Sequence, residues 1–249
     1  MKVEKQSAIR IDHTSSGWGE LGDSGECSAL PEAILRLIKD RPMHSPVDGF
    51  GRLYLRTYRA TLTGTTWSAQ QVFAALVNQF PAYWLEGNYF LPCAARIEPG
   101  ALCAILLSMP MGLRLVTGAR VMYLDETSFS LMTLQGHMFA GWITFSAYQE
   151  DGQVGVQVQA LVRPGDVLFE VVYRLGFGMK AEDNFWHTVL RNFSQSIGVE
   201  PKLQQENQTI AGDLIWRNFG NLWYNASLRS IPRFYGRSFN TLLNQPVIK

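Results

Sequence analysis

At 249 residues, the chain can form one large domain or two small ones and bury a core without covalent staples. Hydrophobic residues make up 47% and charged residues 17%, a globular composition that excludes disorder as the dominant state. The net charge of +1 excludes a polyelectrolyte-type binder of nucleic acid, so no nucleic-acid partner is expected.

Residues 1–27 are rich in Gly, Ser and Asp and lack periodicity, which reads as a loose arm. Leu30 to Lys39 places Ile34, Leu35 and Ile38 on one side, with Pro31 near the start, and predicts a short helix. Two prolines and a glycine between Arg41 and Gly49 mark a linker. Leu53 to Thr63 alternates and is rich in Tyr, Leu and Thr, as a strand does. Ser68 then caps a helix carrying Val72, Phe73, Leu76 and Val77, which Pro81 ends. From Ala94 to Leu175 the chain reads as successive strands, the last being Val167 to Leu175.

One hairpin can be written in register. Asp151-Gly152 is a two-residue turn signal. Pairing outward from it sets Ala147, Phe145 and Ile143 opposite Val156, Val158 and Ala160 on an apolar face. Ser146 and Thr144 fall opposite Gln157 and Gln159 on a polar one. A slip of one residue destroys this agreement, so the sheet has one buried face, against a helix or a cavity. Ala181 to Ile197 follows as an amphipathic helix with Phe185, Trp186, Val189, Leu190 and Phe193 on one side. The segment 201–249 has six Lys/Arg against two Asp/Glu, net +4, and an apolar stripe of Ile215, Trp216, Phe219, Leu222 and Trp223 at helical spacing. Strands between two helices argue for an α+β fold with an antiparallel sheet. The expected division is an arm over 1–50, a central domain over 51–200 and a basic aromatic tail over 201–249.

Familiar chemical motifs are weak or missing. Cys27, Cys93 and Cys103 are widely spaced without a CxxC, which reads as three reduced thiols. Gly17 to Gly22 spells GxGxxG, but no strand precedes it and no helix follows. Gly176 to Ala181 spells GxGxxA between a predicted strand and helix, and reads as a plain connection because no second parallel strand comes after. His13, His44, His137 and His187 show no metal-ligand spacing, and no serine-hydrolase elbow occurs. Neither metal nor cofactor is expected. Met1 to Lys5 lead into no apolar core. The most apolar stretch, Ala101 to Leu113, is shorter than the ~20 residues of a membrane span and is broken by Pro110 and Gly112. A soluble cytoplasmic protein is expected.

Residues 64–197 resemble the DUF1990 family, also called UPF0548. The resemblance rests on short matches in order. Gly64, Val72-Phe73, Ala75-Leu76 and Trp84 look like its opening helix, and Pro99-Gly100 is similar to its Pro-Gly turn. Ala119 to Glu126 resembles its Arg-Val-x-Tyr strand. Thr133-Leu134-Gln135-Gly136-His137 with Gly141 and Phe145 resembles its most distinctive motif, and Arg163-Pro164 a later Arg-Pro step. The resemblance implies a helix-grip fold of the START and Bet v 1-like type: a curved antiparallel sheet around a long C-terminal helix, with an apolar cavity between them. Here Met138, Phe139 and Trp142 stand where the family has Pro and acidic residues, which favours binding over chemistry.

On this reading the cavity holds a hydrophobic or amphipathic small molecule or lipid. Arg120, His137 and Arg163 are the candidate polar anchors, and Trp84, Tyr123 and Phe145 line or close the pocket. Two alternatives stand beside it. One is a cyclase-like or hydrolase-like enzyme with His137 and Tyr123 as its acid/base pair. The other is a membrane-peripheral or protein-interaction module acting through the tail.

Overall fold

A computed structural model describes residues 30–93, 97–109 and 114–234 of the protein. Residues 1–29 of the expected arm, including Gly17 to Gly22, lie outside the described residues. Eight strands form one antiparallel sheet: β1 (Leu53–Leu62), β2 (Tyr89–Pro92), β3 (Leu102–Ser108), β4 (Arg114–Leu124), β5 (Ser128–Thr133), β6 (Phe139–Glu150), β7 (Gln153–Pro164) and β8 (Lys202–Ala211). Their order across the sheet is β2-β3-β4-β5-β6-β7-β1-β8. Among the described residues five α-helices accompany them: α1 (Glu32–Ile38), α2 (Ala69–Asn78), α3 (Val167–Arg174), α4 (Phe177–Ser196) and α5 (Ala226–Phe234). The sheet curves around α4, and the fold is a helix grip.

Local signals act where they were expected. Ser68 accepts from the Gln71 amide, and the Gln71 side chain returns to the Ser68 amide, a reciprocal cap for α2. Asp151 and Gly152 both take positive φ (50° and 73°), and the β6–β7 pairs fall in the register written above. The inner face of that hairpin packs into the main core with Phe73, Phe80, Val189, Leu190 and Phe193. Phe80 is its hub: its ring lies 4.8 to 6.0 Å from those of Phe145, Phe90, Phe129 and Trp84.

Three expectations are corrected. Val167 to Leu175 is not a strand but mostly α3. The run is β-branched, but Asp166 stands before it, and its Oδ1 accepts from the Leu168 and Phe169 amides at 2.9 and 3.1 Å. The cap starts a helix, and helical spacing buries Glu170 and Tyr173 together. Nor does the sheet bury a single face throughout. Leu102, Ala104, Leu106 and Val116 turn outward and form a second core with Leu30, Ile34, Leu37 and Ile38. Strands buried on both sides read as unbroken apolar runs, which explains the stretch from Ala101. Finally, Cys93 is disulfide-bonded, whereas Cys103 is free and buried. Bridging depends on Cα separation in space, which sequence spacing does not reveal. Disulfides persist mainly in oxidising compartments.

The chain after α4 returns to the sheet, where β8 pairs with β1 and presents a polar, exposed edge. A 3₁₀ helix, Trp216–Tyr224, and α5 follow. Asn225 is fully buried and donates to Asp166 Oδ2 at 2.7 Å, so the capping carboxylate of α3 also anchors α5. Among the described residues no helix is long and apolar enough to cross a membrane. Asp166→Ala removes the cap and orphans a buried amide, and should lower stability by about 2–3 kcal/mol in urea unfolding. An unchanged midpoint would show that neither bond contributes.

Candidate functional site

A cavity of about 340 Å³ lies between the inner face of the sheet and the two helices α3 and α4. Ala119, Leu131, Ile143, Phe145, Ala160 and Val162 supply the sheet wall. These positions alternate along their strands and lie side by side across them, because one face of a pleated sheet takes every second residue. Phe169, Val172 and Tyr173 come from α3, and Ala181, Glu182, Phe185 and Trp186 from α4. Trp84 and Leu85 close it from the turn after α2.

Of the six residues singled out in the sequence, Trp84, His137 and Phe145 stand in this lining. Arg120, Tyr123 and Arg163 do not. Ala119 and Val121 are core residues on the inner face, so Arg120 between them turns outward and donates to Gly100 O at 3.1 Å. A register shift between Val121 and Tyr123 places Tyr123 opposite Ser130 on the polar face, where its hydroxyl donates to Asp125. The acid/base pair of His137 with Tyr123 is therefore not assembled at the cavity. Arg163 is buried, but its guanidinium donates to Gly51 O at 2.5 Å and Asp213 O at 2.9 Å. It fastens the end of β7 to the start of β1 and to the loop after β8.

The Thr133–His137 motif also does structural duty. Thr133 Oγ1 donates to His44 O and accepts from the Gly141 amide. A Cβ on Gly136 would meet Tyr224 O at 2.3 Å, and one on Gly141 would meet Leu161 O at 2.1 Å, so both sites need glycine. His137 Nδ1 accepts from the Phe139 amide at 2.9 Å, which leaves the proton of the neutral ring on Nε2. Burial lowers this histidine to about 4 against the pull of Phe139 O, so the ring is neutral at ordinary pH.

Sequence reading missed the strongest polar feature. Arg56, on the inner face of β1, is 1% exposed. Its guanidinium pairs with Asp183, donates to Tyr58 Oη at 2.9 Å and lies 3.9 Å from Glu182 Oε2. Tyr173 donates to Glu182 Oε2 at 2.8 Å, and Tyr58 to Asp183 Oδ1 at 2.9 Å. Burial alone would lower Arg56, but Glu182 and the two tyrosines outweigh it and hold the guanidinium above its usual range. A signal existed: Arg56 and Tyr58 share a strand face, and a Glu-Asp pair opens the long helix. No local rule joins them. Trp84 is the second omission in kind. More than a wall, its indole Nε1–H is buried with no hydrogen-bond partner among the described residues.

Glu182 belongs both to the cavity lining and to this cluster. Burial lifts its carboxyl to about 6, against the pull of Arg56 and Tyr173, with Asp183 adding to the rise. The folded protein thus holds this proton to higher pH than the unfolded chain. Ionising Glu182 costs stability as pH rises from about 4.5 to about 6. The cost is absent below that window and complete above it. The stability of Glu182→Gln relative to the native protein should rise by about 2 kcal/mol across the window and stay level outside it. Urea unfolding of both proteins as a function of pH checks this. A pH-independent difference would remove Glu182 from the titration.

A family model described as "Domain of unknown function (DUF1990)" matches residues 56–185, a little over half of the chain. No curated protein matches it significantly by sequence. Among solved structures, the chain is similar to protein Ms6760 from Mycobacterium smegmatis at 10% identity and a TM-score of 0.43, covering 63% of this chain and 96% of that one. Ara h 8.0201 is similar at 9% identity and a TM-score of 0.42, over 58% of this chain and 97% of its own. The di-domain ARO/CYC StfQ from the steffimycin biosynthetic pathway is similar at 10% identity and a TM-score of 0.42, over 58% of this chain and 50% of that one.

Proposed function

This chain belongs to the DUF1990 family, and we propose that it is a binding module for a largely apolar small molecule or lipid held between the sheet and α4. The observation that carries this reading is the Trp84 indole N–H, buried in the wall of an apolar cavity without a partner among the described residues. A buried orphan donor costs about 1–3 kcal/mol, and a ligand oxygen offsets that cost. The ligand on this reading is hydrophobic in bulk and carries at least one acceptor, a carbonyl, hydroxyl or ether. The cavity volume sits at the small end of the ~300–1,000 Å³ usual for such sites. Neutral His137 and the Tyr173–Glu182 pair offer further polar contacts elsewhere in the lining. Burial of apolar surface supplies most of the affinity, at roughly 25 cal/mol per Å² before ordering costs.

Native mass spectrometry of freshly purified protein, with an organic extract analysed beside it, tests the reading. A stoichiometric extra mass is the expected result. Trp84→Phe keeps the ring and removes the donor, and should weaken the extracted molecule by roughly 5- to 30-fold. Arg163→Ala should leave that affinity unchanged while lowering stability, because Arg163 ties backbone carbonyls outside the cavity. Equal binding by Trp84→Phe would remove the acceptor from the account. A second reading, an enzyme on the same scaffold, would rest on the Tyr173–Glu182 pair, since a carboxyl near 6 suits proton transfer. Conversion of the extracted molecule by the native protein but not by Glu182→Gln would select it.

A further inference from the structure

The corner between α3 and α4 leaves large apolar side chains in solvent. Leu175 and Phe177, on either side of Gly176, are 67% and 70% exposed. On α3 itself Leu168, Val171 and Val172 are also exposed. Five such side chains within ten residues form more than the scattered surface apolarity of an ordinary soluble domain. The charge around them has one sign. Arg174 and Lys180 are exposed. Of the neighbouring acids, Glu170 is 2% exposed and the Glu182 side chain 8%, while Asp183, 25% exposed, is paired with Arg56 and Tyr58.

We propose that this corner is a membrane-docking surface. Leu175 and Phe177 enter the boundary between headgroups and acyl chains of an anionic bilayer, and Arg174 and Lys180 meet the lipid phosphates. An apolar tip whose unpaired exposed charges, Arg174 and Lys180, are basic complements such a surface. A second copy of the chain does not fit as well, because a two-fold contact at the tip brings Arg174 and Lys180 of both copies together. The corner is also continuous with the cavity wall. Val172 is both exposed and lining, and Phe169, Gly178 and Ala181 of the same two helices line it too. Docking here sets the helical wall of the cavity against the lipid. The proposal does not depend on what the cavity holds.

Vesicle co-sedimentation of the full chain tests it, with phosphatidylcholine alone and with roughly 30% phosphatidylglycerol. The native protein should sediment with the anionic vesicles at least about tenfold better, and raised salt should weaken this. The double variant Leu175→Ser/Phe177→Ser should lose at least about tenfold on anionic vesicles. Arg174→Glu/Lys180→Glu should lose the preference for anionic lipid. Both variants change exposed side chains, so an unaltered thermal unfolding curve confirms that folding is not the cause. Absence of sedimentation with anionic vesicles, or undiminished sedimentation of the serine variant, would overturn the proposal. So would a loss produced by Trp216→Ser/Trp223→Ser instead, which would move docking to the 3₁₀ helix. A change of oligomeric state in the serine variant without vesicle binding would assign the corner to contacts between copies, and would equally overturn it.

Discussion

An arginine buried to 1% exposure must be compensated, and the compensation of Arg56 organises the centre of this protein. The guanidinium is fixed on the inner face of β1, a strand held between β7 and β8. Its partners come from elsewhere: Asp183 and Glu182 from the first turns of α4, and Tyr173 from α3 through Glu182. Satisfying the charge therefore fixes where both helices meet the sheet. The apolar half of α4, with Val189, Leu190 and Phe193, then closes on the core from the other end. Between the polar and the aromatic anchor the surfaces do not meet, and the cavity is the space left over.

That arrangement gives the cavity an uneven chemistry. Its sheet wall is apolar, built from side chains that lie side by side across the four strands β4 to β7. Its helical wall carries a carboxyl that also belongs to the ion cluster. A ligand touching Glu182 thus touches the group that holds α4 to β1. At the other end Trp84 presents its donor from a turn that is itself packed on Phe80, Phe90, Phe185 and Trp186. A donor so tightly framed is preorganised, which favours affinity by removing ordering cost.

The basic residues singled out from sequence serve the frame instead. Arg163 gathers two backbone carbonyls where β1, β7 and the loop after β8 converge. Thr133, Gly136 and Gly141 do the same around the His44 segment and the end of the 3₁₀ helix. Motifs of this kind identify a family because their backbone geometry tolerates few substitutions, and that is a different requirement from touching a ligand.

Local physics made much of this legible in the sequence. The Ser68 cap, the Asp151-Gly152 turn and the alternation on either side of it depend on neighbours a few residues apart, and their register followed from counting. The amphipathic face of α4 was visible for the same reason. The misreading of Val167 to Leu175 came from giving β-branched residues more weight than one capping carboxylate. What tertiary structure alone decided involves partners far apart in the chain. Arg56 meets Asp183 across 127 positions, and Asn225 meets Asp166 across 59. The outward turn of Tyr123 needs a register shift that no periodicity announces. The cavity itself is a distance between two surfaces, and sequence patterns specify which faces are apolar but not how closely they approach.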